Sequence, residues 1–179
     1  MTNSSQLTDS SPTTASAQPG QSPELQTGIT RDIYGMPAFV KLAVADLDAT
    51  VAWFTGALDF INLFTMPGPD GPALVHLRRW RYQDVLVVPA AGEAPVIGPG
   101  LQLTFAAQFE ELDALAARAR AYGGGSVEGP VDTPWNARDL TVTSPDGLVT
   151  VFTARRPEPL RDQQFAADME RWSQEQGLR

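Results

Sequence analysis

The chain of 179 residues contains no cysteine, one histidine (His76) and one lysine (Lys41). Without cysteine it can form neither disulfide bonds nor thiolate metal sites, and catalysis by a thiol is excluded. A metal site built from several histidines of one chain is excluded as well. Because cysteine-free chains suit reducing compartments, we expect a cytoplasmic protein.

Positive charge is also scarce, with 13 basic against 21 acidic residues and a formal net charge of -8. Nucleic acids and anionic membranes carry charge of the same sign, so neither is expected as a partner. The acidic surface favours a cationic ligand. No apolar run approaches the roughly 20 residues of a spanning helix. The first residues also lack the basic and apolar regions of a secretory signal.

Residues 1–30 are rich in Ser, Thr, Gln and Pro, and we expect them to form a disordered tail. Such a segment buries too little apolar surface to offset the entropy lost on ordering. The hydrophobic fraction of the whole chain is 42%, which is sufficient for a core in the remainder.

One order of predicted elements, strand–helix–strand–strand–strand, occurs twice, at about residues 37–90 and 99–155. The helices are predicted over residues 49–58 and 109–122 from their apolar spacing and from an Ala- and Leu-rich composition. In the first copy, residues 67–72 alternate Pro and Gly around an aspartate and are predicted to form a loop. The repetition indicates two modules of one kind.

The first strand of each copy alternates between an apolar and a mixed face, which is typical of a half-buried strand. The apolar faces hold Val40, Leu42 and Val44 in one copy and Leu101, Leu103 and Phe105 in the other. The opposite faces hold Phe39 and Lys41, and Gln102 and Thr104. We expect the apolar faces to pack on the helices and the mixed faces to meet a ligand.

Three short motifs follow one another along this pattern. They are Val44-Ala-Asp-Leu-Asp48 before the first helix, Leu103-Thr-Phe-Ala106 before the acidic start of the second, and Pro134-Trp135 followed by Arg138 and Ser144-Pro-Asp-Gly147. In this order and spacing they resemble the glyoxalase, bleomycin-resistance and extradiol-dioxygenase superfamily, also called vicinal oxygen chelate (VOC). The resemblance covers about residues 37–155.

The resemblance implies an α+β fold with two βαβββ modules in one chain, forming curled mixed sheets around a cavity over residues 36–155. It also implies a homodimer. A C-terminal helix is predicted over residues 158–179, where Phe165, Met169 and Trp172 form an apolar stripe. Packing of this stripe against its own domain is the main expectation, and contact with a neighbouring subunit is the alternative.

In metal-dependent members, the resemblance places ligands at the positions of Phe39, Gln102 and Val151. Phenylalanine and valine cannot bind a metal, and a single amide oxygen is a weak ligand. We therefore expect no metal and no cofactor. A metal enzyme with its ligands at other positions remains an alternative.

The expected ligand is a small, partly aromatic molecule between the curled sheets. Its predicted contacts are Phe39, Lys41, Gln102, Thr104, Trp135 and Val151. Trp135 would stack on a flat ligand, while Lys41 and Gln102 would orient its polar groups.

The function predicted from these residues is metal-free binding of a drug or metabolite, as in bleomycin-resistance-like relatives. One alternative is a VOC-fold enzyme, an isomerase or lyase for example, that uses Lys41, Gln102 and His76 without a metal. As a general base, His76 would need an orienting partner, and a structural role for it is the simpler prediction. A regulatory partner protein that docks through the C-terminal helix is a further alternative.

Overall fold

A computed structural model describes residues 31–36, 38–93 and 100–178 of the chain. The predicted tail over residues 1–30 lies outside the described residues. The first module runs in the predicted order, and its elements are β1 (Val40–Val44), α1 (Leu47–Ala57), β2 (Ile61–Gly68), β3 (Gly71–Arg78) and β4 (Asp84–Pro89).

The second module repeats this order, and a helix follows it. Its elements are β5 (Gln102–Ala106), α2 (Leu112–Tyr122), β6 (Ser126–Asp132), β7 (Ala137–Thr143), β8 (Val149–Arg155) and the C-terminal α3 (Gln163–Glu175). Short 3-10 turns at Phe109–Glu111 and Glu158–Leu160 precede α2 and α3. The α+β class and the two βαβββ modules predicted from the sequence are confirmed.

Each module forms one four-stranded mixed sheet. The strand order is β1-β4-β3-β2 in the first sheet and β5-β8-β7-β6 in the second. In both sheets the first strand of the module pairs in parallel with the last strand, while the other pairs are antiparallel. The crossover from the first strand to the rest of the sheet runs through the helix, which therefore covers one face of that sheet.

Local sequence explains where the helices begin and end. Asp46 caps α1, because its carboxylate accepts a hydrogen bond from the backbone N–H of Ala49 at 2.8 Å. Gly123 ends α2 with a φ of 76°, which favours glycine. The predicted loop at residues 67–72 is shorter than expected, since β2 continues to Gly68 and β3 begins at Gly71. A two-residue turn at Pro69 and Asp70 is sufficient to connect paired strands.

A single hydrophobic core joins the two modules. It contains residues from α1 and α2 together with the helix-facing sides of both sheets, which we call the inner faces. The rings of Phe60 in the first module and Phe105 in the second meet edge to face, with centroids 5.3 Å apart. The ring centroid of Phe105 in turn lies 6.1 Å from that of Phe152 in β8. The modules are therefore halves of one folding unit.

A buried arginine also crosses the boundary between the modules. The guanidinium of Arg79 donates hydrogen bonds to the carboxylate of Glu111 at 2.6 Å and to the carbonyl oxygen of Ala106 at 3.3 Å. Gln83 donates to the same carbonyl at 2.8 Å. The guanidinium carbon of Arg79 also lies 4.7 Å from the centroid of the Trp80 ring, so the two side chains stack. Both side chains are buried at this junction.

The shared core predicts a single unfolding transition for both modules. Phe60→Ala should lower the free energy of unfolding by about 3–5 kcal/mol, because a fully packed ring is lost. Leu160→Ala, at an exposed side chain outside the core, should change it by less than about 1 kcal/mol. Chemical denaturation followed by circular dichroism and by tryptophan fluorescence measures both values. Two separate transitions, or equal losses in the two variants, would contradict a common core.

Candidate functional site

The side of each sheet opposite the helices is its outer face, and the predicted ligand residues lie there. In β1 the side chain of Leu42 is buried and Lys41 is exposed, while Phe39, just before the strand, is 49% exposed. In β5, Leu103 and Phe105 are buried, while Gln102 and Thr104 are exposed. The alternation predicted from the period of two is therefore present in both strands. The prediction for Leu101 is wrong, because it precedes β5 and is 44% exposed.

Three of the six predicted residues belong to the second sheet, and a fourth, Trp135, belongs to the second module. Thr104 pairs directly with Val151 of β8, which places both on the outer face. Gln102 lies on the same face and donates a hydrogen bond to the hydroxyl of Thr104 at 3.0 Å. Val151 is nevertheless buried, since β8 lies between β5 and β7. Trp135 lies in the loop before β7, while Phe39 and Lys41 belong to the other sheet.

A groove of about 830 Å³ opens at one end of this second outer face, between β5, β8 and α3. Trp135 lines it and is 58% exposed. From α3, the stripe of Phe165, Met169 and Trp172 forms the opposite wall, and Trp172 is 50% exposed. The predicted C-terminal helix is thus present, but none of its residues is fully buried against the domain. The groove, rather than a packed interface, separates this stripe from the sheet.

Asn136 sets the width of the groove. Its side-chain amide donates to the carbonyl oxygen of Asp162 at 2.9 Å, and its amide oxygen accepts from the N–H of the same residue at 2.7 Å. Asp162 caps α3 through the N–H of Phe165 at 3.0 Å. The buried Asn136 therefore fixes the start of α3 beside Trp135. Asn136 has a φ of 59°, a left-handed conformation that asparagine tolerates, and the asparagine after Pro134-Trp135 is the local signal that the sequence analysis missed.

Polar and apolar side chains share the lining of the groove. Asn136 and Thr153 lie on the sheet side, Arg155, Arg161 and Glu170 lie around the opening, and Ser173 lies on α3. Two arginines against one glutamate do not select a cationic ligand, although the net charge of the chain favours one. Aromatic side chains beside polar groups that can orient a ligand are compatible with a small-molecule site.

A buried ionic cluster lies on the outer face of the first sheet. The carboxylate of Asp84, with 0% of its side chain exposed, accepts a hydrogen bond from the Nε of Arg78 at 2.7 Å. The Nε2 of His76 lies 2.7 Å from the same oxygen, and the hydroxyl of Tyr34 donates to the other oxygen at 2.5 Å. His76 thus has the orienting partner that a sequence alone cannot reveal. Burial raises the pKa of Tyr34 above its ordinary value of 10.0, and donation to Asp84 raises it further.

The model of the Glyoxalase/Bleomycin resistance protein/Dioxygenase superfamily matches residues 37–152, which include both modules. The chain belongs to this superfamily. No curated protein matches it. In the described part of the chain, no helix is both long and apolar enough to cross a membrane.

Solved structures share the fold of this VOC chain. The glyoxylase/bleomycin resistance protein/dioxygenase domain from Frankia sp. EAN1pec has a TM-score of 0.56 at 22% identity, covering 70% of this chain and all of its own. TnmS3, an antibiotic binding protein from Streptomyces sp. CB03234, has a TM-score of 0.53 at 23% identity, covering 65% and 93%. TioX from Micromonospora sp. ML1 has a TM-score of 0.52 at 23% identity, covering 67% and 96%.

The residues at the metal-ligand positions that the superfamily implies do not fit a metal in this VOC chain. Phe39 and Val151 have no donor atom, which leaves the amide oxygen of Gln102 as a single weak ligand. Among residues 31–36, 38–93 and 100–178, no group of three or more His, Asp or Glu side chains could hold a metal ion.

The raised pKa of Tyr34 predicts how stability depends on pH. Because the folded state favours the protonated phenol, the Tyr34–Asp84 hydrogen bond stabilises it fully below pH 10.0 and is lost as the pH rises through the pKa. Tyr34→Phe should lower the free energy of unfolding by about 1–3 kcal/mol at neutral pH. Urea titrations of both proteins should show this difference shrinking at alkaline pH. A difference that stays constant or grows there would contradict the assignment.

Proposed function

We propose that this VOC chain is a metal-free binding protein for a flat, partly aromatic small molecule held in the groove beside α3. The observation that carries the proposal is the pair of half-exposed tryptophans, Trp135 and Trp172, in the groove of about 830 Å³. Tryptophans are more often packed than exposed, so two of them lining one groove favour an aromatic ligand.

The size and chemistry of the groove support this reading. Its volume lies within the range of about 300–1,000 Å³ that is common for small-molecule sites. The rings would cover the flat surface of a ligand, and Arg155 or Thr153 would orient its polar groups. The two hydrogen bonds between Asn136 and Asp162 already fix the start of α3. Part of the entropy cost of ordering this wall of the groove is therefore spent before the ligand binds.

The division of the predicted residues between two sheets suggests that the site is completed in a homodimer. With the shared core behind both inner faces, Phe39 and Lys41 lie on one outer face, and Gln102, Thr104 and Val151 on the other. In a two-fold dimer, the outer face of the first sheet of one protomer would pair with the outer face of the second sheet of its partner. This pairing would bring Phe39 and Lys41 close to Gln102, Thr104 and Val151. This pairing would also cover the exposed apolar side chains Phe39, Met66 and Val131.

The relatives favour an antibiotic-like ligand. TnmS3 is an antibiotic binding protein with the same fold, although at 23% identity the likeness extends to the fold alone. Antibiotics with planar ring systems match the aromatic walls of the groove. A binding role also requires no metal, in agreement with the side chains at the metal-ligand positions.

A metal-free VOC enzyme is the second candidate, and the contact between His76 and Asp84 favours it. A carboxylate that orients an imidazole is a common arrangement for a general base. The two candidates differ in what happens to the ligand, since a binding protein releases it unchanged. Mass spectrometry of the ligand after prolonged incubation separates them.

Tryptophan fluorescence tests the groove directly. Planar aromatic antibiotics that raise the melting temperature should also quench Trp135 and Trp172, whereas Trp53 and Trp80 are buried elsewhere. Trp135→Ala should weaken binding by at least about 1 kcal/mol, roughly fivefold, because an aromatic anchor is lost.

Tyr122→Ala is the matched control, since it removes an aromatic of similar exposure that does not line the groove. Its affinity should equal that of the wild type. Unchanged binding by Trp135→Ala, or an equal loss in both variants, would place the ligand elsewhere.

A further inference from the structure

A second cavity, of about 520 Å³, lies on the outer face of the first sheet beneath the segment that precedes β1. Leu63 and Phe64 of β2 form one wall, and His76 and Arg78 of β3 form the base. Residues 31–34 and Met36 cover it from above. The cleft and the groove beside α3 share no lining residue, so they are separate.

The covering segment is anchored to the cluster around Asp84. The hydroxyl of Tyr34 donates to Asp84 and accepts from the backbone N–H of Tyr82 at 2.6 Å. Arg78 donates to the carbonyl oxygen of Asp32 at 2.7 Å, and its guanidinium lies 4.3 Å from the centroid of the Tyr34 ring. These contacts keep the cleft open as a defined space between segment and sheet.

The hydrogen bonds of Asp84 determine the proton position on His76. An ionised carboxylate only accepts hydrogen bonds, so the Nε2 of His76, 2.7 Å away, carries the proton. In the neutral ring the other nitrogen, Nδ1, then has a free lone pair. Within the described part of the chain, Nδ1 makes no hydrogen bond, and His76 is among the residues that line the cleft.

Charge around the cleft is balanced. Arg78 is paired with Asp84, and Arg31 and Asp32 of the covering segment have opposite signs. Lys41 lies in the same row across the sheet, beyond Leu86, at two strand spacings or about 10 Å from His76. The cleft therefore has no net charge to attract an ion, and His76 lies at its base opposite the apolar walls.

We propose that this cleft is a second small-molecule site, specific for a flat apolar molecule with one acidic hydroxyl, a phenol, that donates to the Nδ1 of His76. The exposed ring of Phe64, which pairs with His76 across β2 and β3, provides the flat contact. A phenol is the occupant because it combines an aromatic surface, which matches Phe64, with one strong donor, which matches the Nδ1 of His76.

The proton position on His76 can be measured without assignment, since the chain contains one histidine. In nitrogen NMR of untagged protein, at a pH where the ring is neutral, Nε2 should have the shift of a protonated ring nitrogen and Nδ1 that of an unprotonated one. The opposite tautomer would overturn the proposal, because Nδ1 would then be unable to accept from a phenol.

Ligand specificity is tested with 2-naphthol and its methyl ether, 2-methoxynaphthalene, which keeps the ring but lacks the donor. Naphthol should shift the Nδ1 resonance and bind about fivefold more tightly than the ether, as expected for one hydrogen bond. Equal affinities, or no binding of naphthol, would overturn the proposal.

Variants separate this cleft from the groove. His76→Phe should remove the preference for naphthol over the ether, and Phe64→Ala should weaken both compounds while leaving His76 in place. Trp135→Ala should change neither affinity. If Trp135→Ala abolishes naphthol binding while His76→Phe does not, naphthol occupies the groove and the proposal fails, although the function proposed for the groove stands.

Discussion

The packing of α1 and α2 between the inner faces of the two sheets is the constraint on which the rest of the structure depends. The contact between Phe60 and Phe105 joins the modules, and the buried Arg79 adds hydrogen bonds across the same boundary. Because the inner faces are used for this core, both outer faces remain for recognition. The groove, the ionic cluster and the cleft all lie on those outer faces.

Local patterns in the sequence were sufficient to predict the modules and the orientation of their first strands. The alternation of Val40 and Leu42 with Lys41 depends on a geometry that any strand imposes, whatever its neighbours. The same reasoning placed Gln102 and Thr104 on an outer face, and the repetition of the element order supported both. The ligand-binding roles of these residues remain predictions, since strand geometry identifies the face and not its occupant.

Features that depend on distant pairs could not be predicted in this way. Tyr34 and Asp84 are 50 positions apart, and Asn136 and Asp162 are 26 apart, so no local pattern links them. Yet the first pair anchors the segment before β1 that covers the cleft, and the second pair fixes the start of α3, which forms one wall of the groove. Two different sheets carry the predicted ligand residues because the helices, rather than a ligand, lie between the inner faces.

The most direct test of the proposed function concerns the homodimer, in which the outer faces of two protomers would meet. The absence of cysteine makes it directly testable, because engineered cysteines would be the only thiols. Chains with Lys41→Cys and chains with Gln102→Cys are mixed, allowed to exchange subunits and treated with a short bismaleimide. Covalent dimers should form in the mixture and not in either variant alone. Cross-links within single chains that have both cysteines, without covalent dimers in the mixture, would contradict the account.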